Sequence, residues 1–175
     1  MDETPQSTIE GRLAFYHPTS TGRGAAVRFE LHPARRGHDG YMFAEIAAQK
    51  TLASRSTAGI KGATFDWDAK IGMKLGITDV CALLAVLEGK TASAGGEKGL
   101  FHQSTSASTV IGFRRVDAPS EGFCLEVSRK EKQAGATDPV RLRVVLSEAE
   151  GIGLRQVLAA SIFHLCFYAV PAIRD

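Results

Sequence analysis

The two halves of this 175-residue chain carry the same order of signals, and that order leaves few folds open. Phe15-Tyr16-His17-Pro18-Thr19-Ser20 opens the first half, and Leu100-Phe101-His102-Gln103-Ser104-Thr105-Ser106 opens the second. Each is followed by a strand carrying arginine, a turn marked by proline, a strand that starts glycine then aromatic, a loop, another strand and a helix. Gly40-Tyr41-Met42-Phe43-Ala44-Glu45-Ile46 answers to Gly122-Phe123-Cys124-Leu125-Glu126-Val127. Repeated units of this kind bury their apolar sides against one another. The expectation is a flexible leader over 1–12 and a single domain over 13–175, built from repeats at about 13–89 and 99–172. With 44% apolar residues the chain can fill one shared core.

Strand signals come in fours. The first half offers Leu13 to His17, Ala25 to His32, Tyr41 to Ala48 and Thr64 to Leu75. In the last of these Phe65, Trp67, Ala69, Ile71, Met73 and Leu75 alternate with Asp66, Asp68, Lys70 and Lys74, so the expected strand has one apolar and one charged side, with Trp67 as a core anchor. The second half offers Leu100 to Gln103, Thr109 to Val116, Phe123 to Arg129 and Val140 to Leu146, where Arg141 and Arg143 alternate with apolar residues. The fold class is therefore α+β, a duplicated β-β-β-β-α unit with two four-stranded antiparallel sheets packed with two helices.

The first helix is expected to start at Thr78 as N-cap, to carry Val80, Leu83, Leu84 and Leu87 on its buried stripe and to stop at Gly89. Gly89 to Gly99 reads as the linker between halves. The second helix starts at the capping box Ser147-Glu148-Ala149-Glu150, buries Leu154, Val157, Leu158, Ile162 and Leu165, and stops at Pro171. Ala159, Ala160, Phe163, Cys166 and Phe167 make its distal half apolar nearly all round, so one face should meet another subunit. Ile162, Phe163, Cys166 and Phe167 are the expected oligomer contacts.

A net charge of +2 means that any nucleic-acid partner must be held by local clusters of Lys and Arg. Cys81, Cys124 and Cys166 lie in apolar runs with no metal-ligand spacing and read as core thiols in a reducing compartment. The polar segment Met1 to Thr8 lacks the apolar stretch of a signal peptide or anchor, and Val157 to Val170 is too short to span a bilayer. No nucleophile elbow, phosphate-binding Walker loop, dinucleotide fingerprint or HExxH motif occurs, so no catalysis, cofactor or metal is expected. His17 and His102, equivalent in the two halves, are read as a duplicated structural hydrogen bond.

In order and pattern the chain resembles the Whirly-type single-stranded-DNA-binding family, whose architecture is shared by the trypanosomatid mitochondrial RNA-binding proteins. Gly22-Arg23-Gly24-Ala25-Ala26-Val27-Arg28-Phe29 is similar to the family's strand with the Lys-Gly-Lys-Ala-Ala-Leu motif, although Arg23 matches only one of its two lysines. Phe65-Asp66-Trp67-Asp68-Ala69-Lys70 resembles its Tyr-Asp-Trp-Ser-Arg-Lys strand. Gly99-Leu100-Phe101-His102 resembles its Glu-Phe-Phe-His strand, and Pro119-Ser120-Glu121-Gly122-Phe123 its Asp-Gly-Ser-Gly-Phe turn. The loop Gln49 to Ala63 carries no family signature.

The resemblance implies binding of single-stranded DNA with little sequence preference, by an oligomer, a homotetramer in the family, in genome maintenance or transcription regulation. RNA binding or annealing, and an oligomeric scaffold that has lost nucleic-acid binding, stay open. A bacterial or phage protein of the cytoplasmic nucleoid is expected, with a mature organellar protein as the other case. Such binding needs cations for phosphate and rings on which bases stack. The cations that sheet edges would present are Arg23, Arg28, Lys70, Lys74, Arg114 and Arg115, with Arg129, Lys130, Arg141 and Arg143. The rings are Tyr41 and Phe101, with Tyr16 beside a loop.

Overall fold

The computed structural model describes residues 11–57, 59–118, 121–132 and 138–168. The leader up to Glu10, the turn residues Pro119 and Ser120, and the expected stop at Pro171 lie outside the described residues. Alternating apolar residues produce strands β1 (Arg12–His17), β2 (Ala25–His32) and β3 (Tyr41–Thr51), so Arg12, expected in the leader, already belongs to the fold. A hairpin of β4 (Ser54–Ser56) and β5 (Gly59–Lys61) follows, then β6 (Thr64–Phe65), β7 (Ile71–Leu75) and helix α1 (Ile77–Leu87). The second half supplies β8 (Leu100–Gln103), β9 (Ala107–Val116), β10 (Gly122–Glu131), β11 (Val140–Leu146) and helix α2 (Glu148–Cys166).

In place of two four-stranded sheets, the described residues form one sheet of five strands and one of four, beside the small β4–β5 hairpin. The first is antiparallel in the order β1-β2-β3-β7, with β6 joining the far end of β3. The second is the meander β8-β9-β10-β11. Val27, Phe29, Met42, Ile46, Met73 and Leu75 from the first sheet join Ile111, Phe113, Leu125, Val127 and Leu146 from the second in one core, closed by Val80, Leu83, Leu154 and Leu158 of the helices. Gly151 lets α2 approach that core: a β-carbon there would overlap the ring of Phe123.

Several expectations need correction. Thr64 to Leu75 is not one strand, because a 3-10 turn at Trp67–Ala69 separates β6 from β7. That turn lifts Trp67 out of the core to a half-buried place on the solvent side. Helix α1 starts two residues early, with Gly76 in place of Thr78 as N-cap, and the Gly76 N–H donates to Asp79 Oδ2 at 3.0 Å. The glycine-rich segment is no free linker, since Ala94 is buried and its N–H donates to Phe113 O at 2.9 Å. Of the cysteines only Cys124 is buried, while Cys81 and Cys166 are exposed. Val157 is exposed as well, and the buried stripe of α2 runs instead through Gly151, Leu154, Leu158, Ser161 and Leu165.

The capping box of α2 forms as expected: Ser147 N–H donates to Glu150 Oε2 at 2.8 Å, and Glu150 N–H donates to Ser147 Oγ at 3.3 Å. Of the paired histidines only His17 makes the expected hydrogen bond, while His102 approaches a carboxylate at the corresponding helix start. His17 Nε2 lies 3.0 Å from Glu150 Oε1 in the first turn of α2, and His102 Nε2 lies 3.1 Å from Asp79 Oδ2 in the first turn of α1.

Candidate nucleic-acid interface

On β2 and β3, residues of one parity enter the core, and those of the other, Arg28, Glu30 and His32 with Tyr41, Phe43 and Glu45, face away from it. Glu45 is only 7% exposed. It stands opposite Arg28 in the register, accepts a hydrogen bond from Arg28 Nε, and has Lys70 Nζ 3.5 Å from its other oxygen. The Trp67 ring covers this group, its centre 4.3 Å from the Arg28 guanidinium. Tyr16 meets Trp67 edge-on at 6.5 Å and Phe65 at 5.6 Å. Further along the face, His32 stacks on Tyr41 at 4.5 Å and Lys74 Nζ lies 4.3 Å from the centre of the Tyr41 ring.

The solvent side of the second sheet is built differently. Phe101, 59% exposed, stands opposite Val110 at the β8 edge, and Arg114, Glu126, Lys130, Arg141 and Arg143 project from β9, β10 and β11. Among the described residues no carboxylate lies within 4 Å of Arg114, Lys130 or Arg141, so their charge is available to an anion. Arg143 Nε donates to Cys124 Sγ at 3.1 Å.

Three expected ligands do not join either face. Arg115 has the opposite parity to Arg114, and its Nη2 lies 2.6 Å from Glu148 Oε1, where it braces the start of α2. Arg129 shares the parity of Leu125 and Val127, and its Nε donates to Glu131 Oε1 at 2.7 Å. Arg23 is exposed in the β1–β2 turn, where its N–H donates to Thr19 Oγ1 at 3.0 Å. The structure thus gathers Arg28, Lys70, Lys74 and Tyr41 on one face and Phe101, Arg114, Lys130 and Arg141 on the other. Trp67 and Glu45 are the members that periodicity missed; the flanking Asp66 and Asp68 were the signal that Trp67 sits near water.

On α2 the outward face is apolar. Phe163 and Phe167 are 64% and 61% exposed with ring centres 5.1 Å apart, Ile152 continues the stripe, and Cys166 is exposed beside it. Ile162, expected in the contact, instead packs half-buried against the chain's own core.

No protein-family profile matches the sequence, and no curated protein matches it significantly. Solved structures do match in shape. WHY3 from Arabidopsis thaliana superposes with a TM-score of 0.66 at 16% identity, over 91% of this chain and 90% of that one. The fold is Whirly-like. The plant transcriptional regulator PBF-2 matches at a TM-score of 0.63 and 15% identity, over 90% of this chain and 84% of that one. A guide-RNA-binding protein complex bound to a gRNA matches at 0.51 and 15% identity, over 87% and 88%. Within the Whirly-like frame, the stretch similar to the Lys-Gly-Lys motif forms the β1–β2 turn and the start of β2, where Ala25 and Ala26 are buried. The stretch similar to the Tyr-Asp-Trp strand supplies the Trp67 turn that covers Arg28.

Proposed function

We propose that this chain binds single-stranded nucleic acid, DNA foremost, with little overall sequence preference, as a homotetramer acting in genome maintenance or transcription regulation, and as a binder rather than a catalyst. One observation carries the reading: the solvent side of the first sheet sets the half-buried ring of Trp67 against the Arg28 cation, with a second ring and cation, Tyr41 and Lys74, further along the same face. A ring offers a stacking face to any base, and a cation beside it meets the phosphate that follows, which is what sequence-tolerant single-strand binding needs. The exposed apolar stripe of α2 supports self-association. The likeness to a plant transcriptional regulator supports the proposed role.

Trp67 is the chain's only tryptophan and reports on its own surface. Titration with oligothymidine should quench its fluorescence, duplex of equal length should do so far more weakly, and the affinity should fall as salt rises. Absence of binding to oligothymidine at low salt refutes the proposal and leaves the scaffold. The likeness to a gRNA-bound complex favours RNA as a second reading. Competition between matched DNA and RNA strands decides between them.

A further inference from the structure

The solvent side of the second sheet holds a trough of about 360 Å³ that the ring and cation pairs of the first sheet do not use. Its floor is Gly112, in the middle of β9. A β-carbon at that position would come no closer than 3.7 Å to another atom, so the glycine leaves a hollow instead of serving a close backbone approach. Val110 and Arg114 flank it along the strand, Glu126 stands directly opposite in β10, and the loop with Glu97 and Lys98 supplies another wall.

Glu126 is the informative residue. Among the described residues no cation lies within 4 Å of it, although Arg143 is its cross-strand partner in β11; that guanidinium is turned to Cys124. An unpaired carboxylate repels phosphate, so the trough is not a pure backbone channel. What a carboxylate does accept is a pair of parallel N–H donors. Among the bases, guanine alone presents two such donors side by side on its pairing edge, the ring N1–H and the 2-amino group, and a single strand leaves that edge open. Arg114 and Lys98 stand where they can take the flanking phosphates.

We propose that this trough is a guanine subsite, in which the base lies over Gly112 and donates both groups to Glu126. The inference rests on single-strand binding by the sheet faces, and adds a local preference to a surface that is otherwise sequence-tolerant.

The test compares oligothymidine with one central guanine against the same strand with hypoxanthine there, which lacks the 2-amino group. The guanine strand should bind roughly tenfold tighter, the loss expected for one hydrogen bond to a charged group. Glu126→Gln should reduce the difference to about twofold or less, since an amide offers one acceptor oxygen and sets its own NH2 donors against the second parallel N–H. Gly112→Val should do the same by filling the hollow. Gly112→Val should bind plain oligothymidine as the wild type does, and Glu126→Gln at least as tightly, because it removes a charge that repels phosphate. Equal binding of the two strands by the wild type, or a preference that survives both substitutions, overturns the subsite. Failure of the wild type to bind plain oligothymidine overturns the underlying reading instead.

Discussion

The guanidinium of Arg28 lies 4.3 Å from the centre of the Trp67 ring because Glu45, almost fully buried on the solvent side of the sheet, holds it from below. Removing the carboxylate leaves Arg28 and Lys70 crowded without a counter-charge. Glu45→Ala should therefore lower stability by roughly 1–3 kcal/mol in urea unfolding, less than for a fully buried pair because Lys70 stays partly hydrated. Trp67→Ala should leave stability closer to wild type and instead weaken oligothymidine binding by about 1–3 kcal/mol, the worth of one stacked base.

Neighbouring arginines on one strand must differ in role, since successive side chains point to opposite faces. Arg114 is free of carboxylates, whereas Arg115 is engaged with Glu148. Arg114→Ala should flatten the dependence of log affinity on log salt by about one unit. Arg115→Ala should leave that slope unchanged. Titrations over a range of salt check both, and equal slopes for the two variants contradict the assignment.

Burial pushes the Glu150 carboxyl up, but the N–H and hydroxyl of Ser147, together with His17, outweigh it and hold the carboxyl below its usual value of 4.5. A carboxyl depressed in the folded state stabilises the fold above its unfolded value, and that stabilisation is lost as pH falls through the folded one. Glu150→Gln should be less stable than wild type by about 1 kcal/mol at neutral pH. The gap should close as the pH falls below 4.5 and through the lower folded value. Urea midpoints measured across that range would show it, and a constant gap would contradict it.

Ile152, Phe163 and Phe167 are all well exposed, and Phe163 and Phe167 place their rings side by side, the kind of apolar surface that marks a contact with another chain. Phe163→Glu and Phe167→Glu should each reduce the mass of the assembly seen by light scattering. Ile162→Ala should act differently, lowering monomer stability by about 1–2 kcal/mol, because Ile162 packs half-buried against the chain's own core.

Most of the architecture was legible because period-two alternation in β2, β7 and β11 and the Ser147–Glu150 box are local signals that tertiary packing reinforced. Trp67 was misread because the parity of Phe65, Ile71 and Leu75 survives the interruption at Trp67–Ala69, so a broken strand looks continuous. The β4–β5 hairpin was missed since Ser54–Lys61 has little alternation and nothing to bury. Charge and recurrence on corresponding strands pointed to Arg115 and Arg129, but their parity beside Phe113 and Val127 directs them away from the solvent face. Exposure of Cys81 and Cys166 depends on where the helices dock, which no local pattern encodes.

His17 of the first strand reaches the helix of the second half, and His102 reaches the helix of the first. Each half thus carries a latch whose catch is on the other. Severing the chain within Gly89–Gly99 would give two fragments, each deprived of a helix contact that only its counterpart supplies. Separately they should stay unfolded; mixed, they should complement one another and restore the fold, with His17 and His102 setting the orientation in which they rejoin.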